Sequence, residues 1–203
     1  MSYVATMPVY WGYRGMGATV AQNVQAGGTV GAGVATAVLG NIAAHGGTVL
    51  GLTGAALSSA VPVIGAVNGP ATIHAELAVL SDIVLAADHA VFADLAHVLN
   101  GVVPGDGVHT VWPMLLGPNR GRYFLLTGEQ ISAAEAQRLG AVAEVLPLDQ
   151  LMPRARELAT RLAQNPTRML RHTRSVLVRH LRKRMADELG FGLGAEALAT
   201  LTV

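Results

Sequence analysis

The stretch Val61 to Gly128 reads VPVIGAVNGPATIHAELAVLSDIVLAADHAVFADLAHVLNGVVPGDGVHTVWPMLLGPNRGRYFLLTG, and it decides the fold. It opens on an apolar run rich in β-branched residues, Val61 to Val67, closed by Asn68-Gly69-Pro70. A short apolar run ending in turn residues reads as a buried strand. Ala71 to Leu80 has helical composition, and Ile83 to Ala87 is a second apolar strand. Strand, turn, helix and strand predict an α/β fold, which places its site at such seams. Three polar groups able to do proton chemistry stand in or beside these elements: His74, His97 and Asp106.

Further along, Asp88 to Asn100 reads as a connector with a short strand near Ala90 to Ala93. Asp106 is placed to start a helix, where a carboxylate meets the first free N–H groups. Pro113 interrupts that helix, and a restart is expected near Gly117-Pro118. Ser132 and Glu135 have the spacing of a capping box, for a helix that Gly140 ends. Ala141 to Leu146 is a short strand, and Asp149 is expected to cap a helix running to about Gln164. Asn165-Pro166 then starts another, since Asn suits the cap and Pro the first helical position. This helix, Thr167 to about Leu189, carries Arg168, Arg171, Arg174, Arg179, Arg182, Lys183 and Arg184. They read as a solvated face opposite Leu170, Val176, Leu177 and Leu181. Gly190 to Gly194 is read as a hinge, and Ala195 to Leu201 as a last short helix.

Composition narrows the function. A chain of 203 residues supports one domain with a full core. Only 13% of its residues are charged against 51% hydrophobic, so apolar surface is left for partner subunits. A net charge of +1 gives no general attraction to nucleic acid. No long uninterrupted apolar run implies a membrane span, and the first residues lack the charged lead of a signal peptide. Without cysteine the chain has no disulfides or thiolate metal sites, which suits the cytoplasm. No histidine pair shows a metal-binding helix spacing with a nearby acid, so no metal is expected.

The segment 1–60 stands apart. Its only charged residue is Arg14, and Gly, Ala, Val and Thr fill it. Its glycine-rich windows lack the Gly-Lys-Ser/Thr of a phosphate loop. It reads as an anomalous segment with three competing readings: a genuine small-residue fold, a disordered stretch, which its low charge and high apolar content argue against, or a wrong reading frame or gene start joined to the domain near Val61, which is the reading favoured. The division expected is therefore 1–60, an α/β core over 61–146, and a helical region over 147–203 that serves oligomerisation.

From Val61 to the C-terminus the chain resembles the crotonase (enoyl-CoA hydratase/isomerase) superfamily. The resemblance is carried by VPVIGAVNGPATIHAELAVLSDIVLAA with Glu76-Leu77 and Ser81-Asp82-Ile83, by Pro104-Gly105-Asp106-Gly107, and by Arg122 to Gly128. Within it the chain is most similar to β-diketone hydrolases of the 6-oxocamphor hydrolase type, which match at His74, His97, Val103 to Gly107 and Glu196. The resemblance implies a crotonase-like spiral core, no cofactor, and a homotrimer or homohexamer. The family's β-rich N-terminal half and its oxyanion-holding small-residue-Gly-x-Asp segment are not recognisable in 1–60.

Alone, Asp106 reads as a helix cap, His97 as a polar loop residue, His74 as part of a turn and Glu196 as a surface residue. The resemblance makes His97 and Asp106 a dyad, in which a carboxylate at one imidazole nitrogen leaves the other to take a proton. It makes His74, where hydratases usually have glycine, a hydrogen-bond donor to an oxyanion. Glu196 becomes a substrate-binding carboxylate. His109, His172 and His180 match no role and read as solvated. The implied reaction is hydrolysis of a C–C bond in a cyclic β-diketone, a retro-Claisen cleavage. Two alternatives stay open. Hydratases acting on acyl-CoA use two glutamates; Glu76 matches one, but His97 stands where the other falls. A non-catalytic crotonase-like remnant is the third reading.

Overall fold

A computed structural model of the chain describes residues 8–12, 21–25, 35–39 and 59–201, with side chains for 59–199. Three strands, β1 (Pro8–Gly12), β2 (Ala21–Gln25) and β3 (Ala35–Leu39), lie in the anomalous segment. β1 and β2 pair antiparallel. The rest of 1–58 is outside the described residues. The apolar runs are strands as expected, β4 (Val63–Val67) and β5 (Ile83–Ala87), and β8 (Glu144–Leu146) completes a four-stranded sheet in the order β3-β4-β5-β8. All three pairings in it are parallel. A second, two-stranded sheet pairs β6 (Val91–Phe92) with β7 (Ile131–Ser132).

Side chains alternate across β4 and β5 as the strand period demands. Ile64, Ala66, Leu85 and Ala87 face one way, onto Leu151, Ala155, Leu158 and Ala159 of the helix over Leu148–Ala163. Val67, Val84 and Ala86 face the other, toward a cluster that includes Trp112 and Phe124. Both faces are covered, which is why these strands read as continuous apolar runs.

Among the described residues the helices are α1 (Glu76–Val79), α2 (Leu95–Val98), α3 (Val108–Leu116), α4 (Pro118–Thr127), α5 (Ala133–Arg138), α6 (Leu148–Ala163), α7 (Thr167–Leu177) and α8 (Arg179–Leu201). Half of the expected capping box forms: Glu135 N–H donates to Ser132 Oγ at 3.2 Å, while both oxygens of the Glu135 carboxylate accept from Arg138, and Gly140 follows at φ 86. The restart at Gly117-Pro118 is also present, although α3 runs through Pro113 rather than stopping there.

Several expectations are corrected. The helix expected over Ala71 to Leu80 is only the four residues of α1. Asp149 lies inside the first turn of α6 and does not cap it, and α7 starts after Pro166. The single basic helix is two, α7 and α8, which meet at Val178. Arg174 is not solvated. It is buried, its Nε donates to Asp82 Oδ2 at 2.6 Å, and the same oxygen accepts the Val63 N–H at 2.7 Å. A fixed arginine fork thus ties α7 to the start of β4.

Nor is Gly190 to Gly194 a hinge: α8 runs straight through it. Glycine inside a helix costs about 1 kcal/mol relative to alanine. Packing explains its presence at Gly192. A Cβ there would overlap the Gly105 carbonyl oxygen and the His109 ring, and a Cβ on Gly105 would overlap the Gly192 carbonyl oxygen. Two facing glycines let α8 cross the Pro104-Gly105-Asp106-Gly107 turn at backbone distance. One turn further along α8 stands Glu196, whose Cβ would also lie against a Gly105 side chain.

Candidate active site

His74 sits in the turn between β4 and α1, with φ 54. A side chain in this left-handed region is uncommon outside glycine and costs of order 1–3 kcal/mol, a strain that concentrates at functional sites. Its neighbour bonds hold the turn: Ala71 N–H donates to Val91 O, Leu95 N–H to Thr72 O, and Leu77 N–H to His74 O. Glu76 opens α1 and is fully buried. His97 lies on α2, and Asp106 precedes α3; both are buried.

The fold brings these side chains into one cluster. His74 Nδ1 lies 3.2 Å from Glu76 Oε1, in hydrogen-bond geometry, and 2.8 Å from Asp106 Oδ2 as a close ion contact. The ring centroids of His74 and His97 are 6.3 Å apart, edge to face. Glu196 reaches the same cluster from α8, where the Gly105 backbone hydrogen-bonds its carboxylate and the charges of Asp106, His97 and His74 act on it.

The expected neighbours His97 and Asp106 lie at ion-pair distance without a direct hydrogen bond. His97 Nε2 is 3.8 Å from Asp106 Oδ2, beyond hydrogen-bond reach. The carboxylate on His97 is Asp94, whose Oδ1 lies 2.6 Å from Nδ1. Asp94 was missed because its spacing, Asp-x-x-His at a helix start, looks like an ordinary cap. Asp106 is not chiefly a cap either. The Val108 N–H reaches its Oδ1 only at 3.5 Å, and its other oxygen turns to His74. His109 is corrected as well: its ring packs against Gly192, and both ring nitrogens are buried without a hydrogen-bond partner. His172 and His180 are exposed, as expected.

Burial and charge work against one another in this cluster. Burial disfavours charge on His74, but Asp106 and Glu76 outweigh it and push the imidazole up to about 10. Burial pushes the Glu76 carboxyl up, against the opposing pull of His74. For Asp106, burial is overcome by His74 and His97, which hold the carboxyl below its ordinary value. For His97, burial is overcome by Asp94, Asp106 and Glu196, which raise it. Burial also raises Glu196, together with the charge of Asp106.

A stability prediction follows from the direction of these shifts. A histidine raised on folding stabilises the protein fully below the unfolded value of ~6.5 and loses that contribution as pH rises through its folded value. For His74 that window runs from ~6.5 up to about 10. Thermal unfolding followed by circular dichroism is expected to show a Tm falling across this range, with a flatter slope in His74→Gln. An equal slope in both proteins would contradict the assignment.

His74, Glu76 and Asp106 also offer ligand atoms within 4.8 Å of one another. The sequence expectation of no metal rested on spacing along a helix and could not see donors gathered from two separate segments. An ion bound here would have to displace the proton that Asp106 and Glu76 favour on His74.

A parallel sheet covered on both faces, continued into C-terminal helices, with buried histidines at the strand–helix turn, defines a crotonase-like α/β fold. The sequence pattern described as enoyl-CoA hydratase/isomerase matches residues 23–194, and the chain belongs to that family. The match begins well before Val61. Among solved structures, the chain is similar to a β-diketone hydrolase from the cyanobacterium Anabaena sp. PCC 7120, bound to (S)-3-oxocyclohexyl acetic acid. That similarity has 44% identity and a TM-score of 0.73, covering 76% of this chain and 62% of the other. An enoyl-CoA hydratase from Mycobacterium tuberculosis H37Rv gives 35% identity and a TM-score of 0.66, covering 71% and 66%. A probable enoyl-CoA hydratase of Mycobacterium leprae is 34% identical over 129 residues, 63% of this chain. The chain spans about half the length of the curated relatives it matches. No helix among the described residues is long and apolar enough to cross a membrane.

Proposed function

We propose that the protein hydrolyses a C–C bond of a cyclic β-diketone by a retro-Claisen reaction, without a cofactor. The observation that carries this reading is the buried histidine pair. His97 has Nδ1 engaged by a carboxylate, and His74 is held protonated between two more. His97 Nε2 takes a proton from water, and the oxygen attacks one carbonyl carbon. The tetrahedral adduct collapses, the bond to the central carbon breaks, and its electrons move onto the second carbonyl as an enolate. His74, as imidazolium, donates to that enolate oxygen. The proton held by His97 returns to the central carbon, leaving a ketone and a carboxylic acid. The second carbonyl is the electron sink, so the diketone itself supplies what a cofactor would. Glu196 contacts the substrate from α8. The molecule bound to the Anabaena hydrolase is a keto acid, the kind of product that cleavage of a bicyclic β-diketone leaves.

The acyl-CoA reading is favoured by one observation: Glu76 is fully buried with Oε2 lacking a partner, which suits a proton-transferring carboxyl. Against it, the second acid of a hydratase is replaced at His97. Purified protein is to be incubated with a bicyclic β-diketone and with crotonyl-CoA. Formation of a keto acid from the first alone supports the hydrolase. Hydration of the second alone overturns it, and inactivity of a folded protein toward both favours the non-catalytic reading.

The same proposal includes a homotrimer or homohexamer. Phe191 and Leu198 of α8, and Val176 and Leu177 of α7, are exposed, and burial between subunits would cover them. Sedimentation is expected to show trimers or hexamers at micromolar concentration; a monodisperse monomer would refute this.

A further inference from the structure

An aspartate at the start of a helix ordinarily spends its carboxylate on the helix's own free N–H groups. Asp94 is the N-cap residue of α2 and makes no such bond. The first N–H of that helix, on Leu95, is taken instead by the Thr72 carbonyl, two residues before His74. The Asp94 carboxylate turns away from the N–H groups of its own helix to a different partner. Oδ1 lies 2.6 Å from His97 Nδ1, with Asp94 1% and His97 4% exposed. Charge-assisted bonds of this length between buried groups are the strong ones.

We propose that Asp94 is the positioning residue of His97. It holds the proton on Nδ1, leaves the Nε2 lone pair toward the reaction space, and stabilises the imidazolium that forms when Nε2 takes a proton. The catalytic consequence rests on the diketone hydrolase reading; the pairing does not. Three distances distinguish Asp94 from Asp106. The first is in contact with Nδ1 at 2.6 Å, whereas the second is 3.8 Å from Nε2 and 2.8 Å from His74. Asp106 also lies on the side of His97 where the attacking water has to sit. A carboxylate bonded directly to Nε2 would occupy the base. Asp106 contacts His74 directly and acts on His97 across 3.8 Å, so each imidazole has its own carboxylate in contact.

The groups facing His97 are Asp94 on its own helix, Asp106 from the turn before α3, Glu196 from α8, and His74 from the turn before α1. The test separates them by NMR titration of histidine ring nitrogens in the full-length protein. In the wild type, neutral His97 is expected to carry its proton on Nδ1; a proton on Nε2 would overturn the proposal without any variant. Asp94→Asn is expected to lower the proton affinity of His97 by tenfold or more and to leave that of His74 in place. Asp106→Asn is expected to act chiefly on His74. The reverse pattern would return His97 to Asp106 and sink the proposal.

Kinetics complete the test. Asp94→Asn is expected to lower kcat for diketone cleavage on the order of 10²–10⁴-fold, with KM little changed. The acid limb of its pH profile should move to lower pH, which loss of packing alone would not produce. Asp94→Glu should restore that limb toward its wild-type position. Should the titrations follow the expected pattern while the wild type cleaves no diketone, the pairing stands and the hydrolase reading falls.

Discussion

His97→Ala is expected to cut diketone cleavage by ~10²–10⁴-fold, the usual contribution of a positioned general base. His97 has the Asp94 carboxylate fixed on Nδ1, and its Nε2 lies 3.8 Å from Asp106 Oδ2, outside hydrogen-bond distance. Its raised value means that the base form is gained only above the ordinary histidine range of ~6.5. The wild-type kcat/KM is therefore expected to rise with pH above that range. It should fall again as His74 loses its proton toward about 10. Steady-state rates across pH, for the wild type and His97→Ala, check both statements. Glu76→Gln serves as the contrast. The hydrolase reading gives Glu76 no proton to move, so that variant should keep most of its activity. The acyl-CoA reading reverses the ranking, with Glu76→Gln inactive and His97→Ala mild. A His97→Ala protein that cleaves diketone at the wild-type rate would end the general-base assignment.

His74→Ala is expected to lower turnover on the order of 10²–10³-fold, the effect of losing one oxyanion donor in a water-excluded site. Two opposing effects accompany this loss. The substitution removes a side chain from φ 54, but alanine is strained there too, so no large gain in stability offsets it. It also leaves Glu76 and Asp106 without the cation that now lies between them. Two buried carboxylates without that charge repel, and one of them should take up a proton. His74→Gln separates the effects, since an amide still donates a hydrogen bond but carries no charge. Turnover restored by glutamine would assign the role of His74 to hydrogen bonding; turnover as low as in alanine would assign it to charge. Unchanged turnover in both variants would remove His74 from the mechanism.

The strands were legible because burial on both faces leaves a continuous apolar run, as in Val63–Val67 and Ile83–Ala87. The Ser132 cap was legible because it is a contact between residues three apart. Such local patterns fail where a distant element changes the partner. Gly190 to Gly194 looks like a break in a helix, yet α8 passes through it because Gly105, far away in sequence, needs a neighbour without a side chain at Gly192. Arg174 looks like one more charge on a basic face until Asp82 is brought beneath it. At the site, composition and resemblance pointed to His74, His97, Asp106, Glu76 and Glu196, and the fold gathers all five.

By itself the sequence determined an α/β core built on buried strands, because residue type and spacing over a few positions express it directly through hydrophobic periodicity and turn chemistry. The candidate histidines and carboxylates came from the resemblance to the enoyl-CoA hydratase/isomerase family. Only the tertiary structure shows which acid lies against which histidine. Asp94 turns from its own helix to His97, and the crossing of α8 over Gly105 brings Glu196 alongside. Proton affinities in a buried cluster depend on distances between atoms that the chain brings together from four separate segments, and no local pattern encodes those distances.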